Sequence, residues 1–361
     1  MESLAQFGWT DTQADNWKQL GLSGVVPARV VADFGTSVKV VTPARISAEL
    51  SGKLSHYTGR EHAPKVGDWV AVRRFDTSTA VVEAVLPRQS EIARKVAGKQ
   101  AVKQVIAANV DVAFVLLALD NDFSIERLKR FLYQLSVSHV RAVIVLNKAD
   151  KAADIAPYLA DVQTLGLPII IATATTGSGV ADILSHIAPG QTAILLGSSG
   201  VGKSTLINQL LGREVQATQA VRSTDDTGRH TTVHRELFML PGGGLLIDTP
   251  GVRELQLWGT QEDLDTNFDD VAALARQCKY TTCRHGDEQG CAIQAALKNG
   301  HLQIAHYNDY LKMKAELGSL RIKNVARERQ TNKKSKKSMD RQTKDMQDDE
   351  YGLVRPRTKN S

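Results

Sequence analysis

The sequence has few cysteines and no long apolar run. Three cysteines in 361 residues cannot build a disulfide framework, and an odd number would leave a free thiol in an oxidising compartment. The longest apolar run, residues 110–119, is too short to span a membrane and contains Asp111. The first residues lack the basic and apolar regions of a signal peptide. We therefore expect a cytoplasmic protein with no membrane segment.

Basic charge is in excess only at the C-terminal end. The formal net charge is +6, yet residues 321–361 alone hold 13 Lys or Arg against 6 Asp or Glu. This tail has few apolar residues to offset the entropy of ordering, so we expect it to be disordered when free and to bind a polyanion. The alternative is a solvated tail that only aids solubility. The whole chain, with 42% hydrophobic and 23% charged residues, has room for two or three globular domains.

Short β-rich runs separated by turn residues occupy residues 23–95. About five such strands predict a small all-β barrel of the OB-fold type, which serves either as an oligonucleotide platform or as a spacer. Residues 1–22 form an N-terminal extension in which Trp9, Trp17 and Leu20 indicate a short helix.

Apolar strands alternate with amphipathic helices in residues 96–258, as at 125–135 and 155–165. This alternation predicts a doubly wound, largely parallel sheet. Ligands of such sheets bind at the carboxyl ends of the strands, so the loops that follow the apolar runs are the candidate sites.

The first of these loops is a phosphate-binding loop between an apolar strand and a helix-like segment. Its glycines let successive backbone N–H groups converge on phosphate oxygens at a helix N-terminus. Lys203 is expected to reach the β and γ phosphates, and the Ser204 hydroxyl is expected to ligate Mg²⁺. The predicted phosphate-binding residues are Gly197, Ser198, Ser199, Gly200, Val201, Gly202, Lys203, Ser204 and Thr205.

The second loop is Asp248-Thr249-Pro250-Gly251, which also follows an apolar run. Such a turn alone is weak evidence for a nucleotide-binding site, but it becomes strong evidence when it follows a phosphate-binding loop in the sequence. Asp248 is expected to hold Mg²⁺ through water, and the Gly251 amide is expected to meet the γ phosphate.

The third loop is Asn147-Lys148-Ala149-Asp150. The Asp150 carboxylate can accept two hydrogen bonds, from the ring N–H and the amino group of guanine, and adenine offers no such pair on that edge. The predicted nucleotide is therefore GTP. Thr173 and Ala174, after the next strand, are expected to supply a backbone contact to the guanine oxygen.

The motif order is circularly permuted, because the guanine motif precedes the phosphate-binding loop. Domain termini lie at the surface, so the ends can be joined and the chain reopened elsewhere. The segments expected to sense the nucleotide, residues 218–233 and 248–257, then lie directly upstream of the next module. GTP is thus expected to reposition that module.

The next module, residues 259–320, gathers every cysteine of the chain beside one histidine. A set of three cysteines and one histidine is typical of a closed tetrahedral zinc site, which folds a small region and leaves no position open for catalysis. Residues 295–317 are expected to supply the surrounding helices. The predicted ligands of this single structural zinc ion are Cys278, Cys283, His285 and Cys291.

In this order of parts the sequence resembles the RsgA (YjeQ) family of circularly permuted GTPases over about residues 23–320. The matching motifs are those at 147–150, 197–205, 228–232 and 248–251 and the zinc set. The resemblance implies a GTP-hydrolysing factor that binds the small ribosomal subunit, acts in its late maturation and is stimulated by it. It also implies that the barrel and the zinc module contact ribosomal RNA.

The residue that orients the attacking water is the open question. Val252 occupies the position at which Ras-like enzymes carry a glutamine, and valine can neither donate nor accept a proton. In the segment 228–232, Thr231 and Thr232 are expected to contact the nucleotide, with Thr232 on Mg²⁺, and His230 is the candidate catalytic residue. The resemblance points to His230 as well; the alternative is an exposed loop histidine.

The sequence therefore predicts a multidomain protein with an all-β OB-fold barrel, a permuted α/β P-loop GTPase domain and a small α-helical zinc module. We expect a monomer that binds GTP and GDP and the RNA of the small ribosomal subunit. The alternative is a GTP-sensing RNA-binding module that does not hydrolyse the nucleotide. A translation factor or an RNA-modification GTPase would carry different appended domains.

Overall fold

A computed structural model describes residues 3–35, 37–52, 54, 63–95, 103–215, 235–248 and 258–319. Within these ranges the strands form an 11-stranded sheet and a separate two-stranded hairpin. One end of the large sheet is rolled into a barrel, and the other is a parallel sheet covered by helices. A helical C-terminal module follows.

Five strands build the N-terminal barrel. They are β1 (Val26–Asp33), β2 (Ser37–Thr42), β3 (Ala44–Leu50), β4 (Trp69–Arg74) and β5 (Thr79–Val85). The strand order is β1, β2, β3, β5, β4, and β4 pairs again with β1, which closes the ring. The β3–β5 pair is parallel and the others are antiparallel. This topology confirms the predicted OB-like barrel.

Small and β-branched side chains fill the barrel interior. In β3, Ile46 and Ala48 are buried and alternate with exposed residues, as expected for a strand with one face on a core. Val30, Val40 and Val72 meet them in the same apolar cluster. The barrel is therefore a packed core.

The N-terminal extension packs against the barrel. It consists of a 3-10 turn (Leu4–Phe7) and the helix α1 (Asp11–Leu20), which Gly21 ends in the left-handed conformation. Trp9 meets the ring of Trp69 edge to face, with the ring centroids 4.8 Å apart. The predicted short helix is therefore present, and Trp9, just before it, contacts β4 on one side and Trp17 of the helix on the other.

The central α/β domain contains the remaining strands. They are β6 (Glu91–Lys95), β7 (Lys103–Ala108), β8 (Val112–Ala118), β9 (Arg141–Asn147), β10 (Ile169–Ile171), β11 (Thr192–Gly197), β12 (Arg235–Met239) and β13 (Leu245–Asp248). In the large sheet they lie in the order β10, β9, β8, β11, β13, β12. All the pairs are parallel except β12–β13, so the predicted parallel sheet is confirmed. The β6–β7 hairpin crosses the predicted domain boundary between residues 95 and 96.

Helices connect the parallel strands. They are α2 (Ile125–Val137), α3 (Ala156–Gln163), α4 (Val180–Ser185) and α5 (Lys203–Leu211). The helices predicted at 125–135 and 155–165 are thus present as α2 and α3. Ser124 caps α2 by accepting the Arg127 N–H at 3.2 Å.

The barrel and the central sheet are continuous, because β1 pairs antiparallel with β12 through Ala32↔Glu236 and Asp33↔Arg235. A buried cation lies at the same junction. The Arg29 guanidinium donates to the carbonyl oxygens of Phe7 and of Asn109 (3.1 Å) and to Oγ1 of Thr192 (2.9 Å). Burial lowers the pKa of Arg29 to about 10, although Asp111 and Asp68 oppose the shift. Arg29 therefore joins the extension, the barrel and the central domain.

The C-terminal module, residues 258–319, is helical. Its helices are α6 (Gln261–Asn267), α7 (Asp269–Arg276), α8 (Ala292–Lys298) and α9 (304–319). The sequence indicated α8 and α9, but it gave no signal for α6 and α7. Tyr133 of α2 is buried in the core of the module. The predicted helical module therefore packs directly on the central domain.

None of the helices in the described ranges combines the length and the apolar character that a membrane crossing requires.

Candidate functional site

The phosphate-binding loop joins β11 to α5 at the carboxyl end of the parallel sheet. Three of its glycines have positive φ: Gly197 (151°), Gly200 (78°) and Gly202 (101°). A Cβ atom at Gly202 would collide with Nδ2 of Asn147, and one at Gly197 would lie 2.7 Å from the Leu116 carbonyl oxygen. The backbone therefore needs glycine here, both for its conformation and for its close contacts.

Lys203 opens α5 and folds back over this loop. Its ammonium donates to the carbonyl oxygens of Gly197 and Ser198, both at 2.6 Å. Ser204 and Thr205 follow in the first turn of the helix and are half-buried. Ser199 and Gly200 are exposed, whereas Val201 is buried under the loop. A cationic side chain and a helix N-terminus thus lie at one point, which suits a bound polyphosphate.

Asn147 connects the guanine motif to the phosphate-binding loop. Its side chain is buried at the end of β9 and donates to the Val201 carbonyl oxygen at 2.7 Å. Its Oδ1 accepts the Ala174 N–H at 3.0 Å. One amide group therefore holds three segments together, namely the ends of β9 and β10 and the phosphate-binding loop.

The rest of the guanine motif is a tight turn after β9. Lys148 adopts a left-handed conformation, with φ at 61°, and its ammonium pairs with Asp120 at 2.8 Å. Ala149 and Asp150 lie in a 3-10 turn, where the Ala149 N–H donates to the Ala172 carbonyl oxygen at 3.2 Å and Asp150 is exposed. Thr173 is buried beside this turn, and its N–H donates to Ser178. The Asp150 carboxylate is therefore open to a ligand.

Asp248 lies at the end of β13, the strand that pairs with β11. The register of this parallel pair, Ile194↔Ile247, places Asp248 at the same edge of the sheet as Gly197. Its side chain is buried, and the residue pairs with Glu236 of β12. Two of the residues predicted to bind Mg²⁺ thus lie at this edge of the sheet. Ser204 is in the first turn of α5, and Asp248 is the last residue of β13.

Several predicted residues lie outside the described residues. They are His230, Thr231, Thr232 and Gly251. Their positions relative to the phosphate-binding loop therefore stay predictions.

The residues predicted to bind zinc form one cluster in the C-terminal module. Cys278 follows α7, Cys283 and His285 lie in the next turn, and Cys291 caps α8. Their ligand atoms all lie within 4.8 Å of one another. The Sγ atoms of Cys278 and Cys291 are 3.9 Å apart, and Nδ1 of His285 is 3.5 Å from Sγ of Cys278. Tetrahedral Zn–S bonds of about 2.3 Å give a ligand separation of about 3.8 Å, so the cluster can hold a zinc ion.

The local environment favours the metal-binding form of two members of the cluster, Cys278 and His285. Burial opposes ionisation of Cys278, but hydrogen bonds from the N–H groups of Ala292 and Ile293, at the start of α8, lower its pKa below the usual value. Burial also lowers the pKa of His285, which favours the neutral imidazole that binds metals. His285 has a φ of 61°, and the Gln294 side chain donates to its carbonyl oxygen at 2.7 Å.

Two functional candidates near the phosphate-binding loop were missed from the sequence. They are Asp120 and Asp122, in the segment between β8 and α2. Ser198 of the phosphate-binding loop donates its hydroxyl to the Asp122 carboxylate, and this bond lowers the Asp122 pKa. The available signal was their place after an apolar strand, at the edge of the sheet where ligands bind.

Comparisons with known proteins point to one family of GTPases. A family model described as RsgA GTPase matches residues 85–258. A protein of Opitutus terrae named small ribosomal subunit biogenesis GTPase RsgA is 40% identical over 87% of this chain and 89% of its own length. A protein of the same name from Syntrophotalea carbinolica is 36% identical over 95% of this chain and 97% of its own length.

Two solved structures share the fold. The crystal structure of YjeQ from Thermotoga maritima has a TM-score of 0.58 at 26% identity, and it covers 81% of this chain and 98% of that one. The crystal structure of YloQ, described as a circularly permuted GTPase, has a TM-score of 0.57 at 22% identity, with 82% of this chain and 96% of that chain covered. The permuted order of the motifs therefore matches a known arrangement of this fold.

Proposed function

Because the chain belongs to the RsgA GTPase family, we propose that it is a GTP-hydrolysing factor that binds the small ribosomal subunit and acts in its late maturation. The observation that carries this proposal is the contact of the Asn147 side chain with Val201 and Ala174, which brings the guanine motif and the phosphate-binding loop into one site.

Guanine recognition is assigned to residues 147–150 together with Thr173 and Ala174. The exposed Asp150 carboxylate is available to accept both donors of the guanine edge. The buried Asn147 holds the turn in place, and the Ala174 backbone lies beside it. A bound base would remove the Asp150 carboxylate from water. A base without the matching donors would leave this carboxylate unpaired and would be rejected strongly, which favours GTP and GDP over adenine nucleotides.

The phosphates are assigned to residues 197–205, with the Gly251 amide and Thr231 as further contacts. Lys203 already lies over the loop, and its charge would neutralise the β and γ phosphates. Ser204, Thr232 and Asp248 are the residues that would hold Mg²⁺, with Asp248 acting through water. Mg²⁺ supplies charge neutralisation between the β and γ phosphates when it is bound.

His230 is the proposed catalytic residue. The chain carries Val252 where a Ras-like enzyme has its water-orienting glutamine, so another group has to place the attacking water. An imidazole can orient water and accept its proton, and His230 lies among the threonines 231 and 232 that we assign to the nucleotide. We expect slow hydrolysis by the isolated protein and faster hydrolysis when the small subunit is bound.

The domain division proposed for this function has five parts. Residues 23–95 are the barrel, 96–258 the GTPase domain and 259–320 the zinc module, with an extension at 1–22 and a basic tail at 321–361. One structural zinc ion, on Cys278, Cys283, His285 and Cys291, would stabilise the module. We further propose that the protein acts as a monomer in the cytoplasm, where its three cysteines stay reduced for the metal.

The barrel offers surfaces that suit ribosomal RNA. On one, the Lys39 ammonium lies 5.6 Å from the ring centroid of the exposed Phe34. On another, Phe75 is 68% exposed beside the exposed Arg74. Aromatic rings next to cations stack on bases and neutralise phosphates. In the zinc module, Lys279 lies over the exposed Tyr280 in the same way.

The test is phosphate release from GTP with and without purified small ribosomal subunits. We expect subunits to stimulate the wild-type protein and to stimulate His230→Ala much less, with GDP binding intact. His186→Ala, at the end of α4, is the matched control and should behave like the wild type. Equal release with and without subunits would refute stimulation by the subunit, and no release under either condition would favour the non-hydrolysing alternative. Full stimulation of His230→Ala would refute the role of that residue.

A further inference from the structure

A short segment between β8 and α2, residues 119–124, lies between the two halves of the nucleotide site. We call it the relay loop. It follows Ala118, the last residue of β8, and β8 pairs with β11 up to Leu116↔Gly197. The relay loop and the phosphate-binding loop thus leave neighbouring strands at the same edge of the sheet.

On the phosphate side, the contact of the relay loop runs through Asp122. The Ser198 hydroxyl donates to its carboxylate, and Arg127 of α2 donates to the same oxygen at 2.9 Å. Asp122 is therefore bonded to the second residue of the phosphate-binding loop and to the first turn of α2. Both contacts are partly exposed to solvent, so each contributes little to overall stability.

On the base side, the contacts run through Asp120 and Leu119. The Asp120 carboxylate pairs with Lys148 at 2.8 Å and accepts the Asp122 N–H at 2.9 Å. The Leu119 N–H donates to the Asn147 carbonyl oxygen at 2.9 Å. The relay loop therefore touches both motifs that we assign to the nucleotide.

The other end of this chain of contacts is the C-terminal module. α2 carries Lys129, which pairs with Asp309 at 2.7 Å, and Arg130, which pairs with Glu316 at 2.9 Å. Both partners lie on α9. The Gln134 side chain donates to the Trp258 carbonyl oxygen at 2.6 Å. Because a helix tends to move as a rigid element, a shift at the first turn of α2 would be transmitted to these contacts.

The charge of Asp122 makes these contacts sensitive to the nucleotide. The backbone N–H groups of the phosphate-binding loop attract phosphates, and a carboxylate bonded to the same loop repels them. GTP carries one phosphate more than GDP, so it opposes this carboxylate more strongly. We therefore expect the Asp122–Ser198 contact to be weaker with GTP than with GDP.

On the basis of the proposed function, we propose that Asp122 is a positioning residue that couples the nucleotide in the phosphate-binding loop to the packing of the C-terminal module on α2. This route passes through the relay loop and α2, and it is separate from the chain connection through residues 249–257.

The first test measures the affinities for GDP and for a non-hydrolysable GTP analogue. Asp122→Asn removes the charge, so the ratio of GTP-analogue to GDP affinity should rise about threefold at low salt. Ser198→Ala removes the contact that favours GDP but keeps the charge, so its ratio should also rise, by less than in Asp122→Asn. Asp161→Asn, on the exposed face of α3, is the control. An unchanged ratio in Asp122→Asn would overturn the inference.

The second test follows amide hydrogen exchange in α9. We expect exchange in the wild-type protein to differ between GDP and the analogue, and this difference should shrink in both Asp122→Asn and Ser198→Ala but persist in Asp161→Asn. Equal exchange with both nucleotides in the wild type would refute the coupling. A wild-type protein that binds neither nucleotide would instead refute the proposed function, so the two failures are distinct.

Discussion

Replacing Asn147 by alanine tests the central contact of the candidate site. The substitution removes the bond to the Val201 carbonyl oxygen (2.7 Å) and the bond from the Ala174 N–H (3.0 Å). Asn147 is 1% exposed, so both backbone partners lose a hydrogen bond in a buried place. Each such loss costs about 1–2 kcal/mol, and together they should lower the free energy of unfolding by about 2–4 kcal/mol.

The same substitution frees the phosphate-binding loop from the guanine motif. The guanine motif and the phosphate-binding loop would no longer be held in fixed relative positions. We therefore expect the affinity for GDP to fall by at least about tenfold, which corresponds to about 1.4 kcal/mol.

Fluorescent GDP titration and urea unfolding measure the two effects of Asn147→Ala. Asn267→Ala is the matched control, because its amide makes a single bond, to the Asp263 carbonyl oxygen at 2.8 Å, in the C-terminal module. The control should lose some stability and keep its GDP affinity. If Asn147→Ala bound GDP as tightly as the control does, the contact would not organise the site.

Three further predictions concern the base, the phosphate-binding loop and the metal. Asp150→Asn should lower the affinity for GDP and raise that for xanthosine diphosphate, because the new amide can donate to the xanthine carbonyl; an unchanged preference in competition assays would contradict the role of Asp150. Gly202→Ala should abolish measurable GDP binding, since the Cβ meets Asn147 at a φ of 101°, whereas Gly212→Ala, with open space at a φ of 62°, should cost about 1 kcal/mol of stability and leave binding unchanged. Removal of zinc by a chelator, or Cys291→Ser, should lower the melting temperature of the C-terminal module, because Cys291 belongs to its core, while His306→Gln should behave like the wild type. A module that melts at the same temperature after chelation would show that the cluster holds no structural metal.

Local sequence predicted the phosphate-binding loop because its constraints are local. The glycines at 197, 200 and 202 take backbone conformations that other residues avoid, so their spacing identifies the loop without reference to the rest of the chain. The zinc cluster is similar, since its four ligands fall within 14 residues. The barrel was predicted from short β-rich runs separated by turn residues, and the parallel sheet from apolar strands that alternate with amphipathic helices; both patterns are visible in local sequence.

The features that the sequence did not predict depend on contacts between residues far apart in the chain. Asp122 becomes significant only because Ser198, 76 residues later, contacts it. The pairing of β1 with β12 involves two residue pairs across about 200 positions, and it has no periodic signature. The short helices α6 and α7 are stabilised by the core around Phe268 and Tyr310, so their tertiary packing outweighs weak local signals.

The shared sheet limits how this protein can be divided. A fragment that began after the barrel would leave β12 with the unpaired main-chain groups of an open edge, a surface that other chains can extend by adding a strand. It would also remove Arg29 and leave the Thr192 hydroxyl without that donor. A fragment that lacks the barrel should therefore self-associate at concentrations at which the intact protein does not.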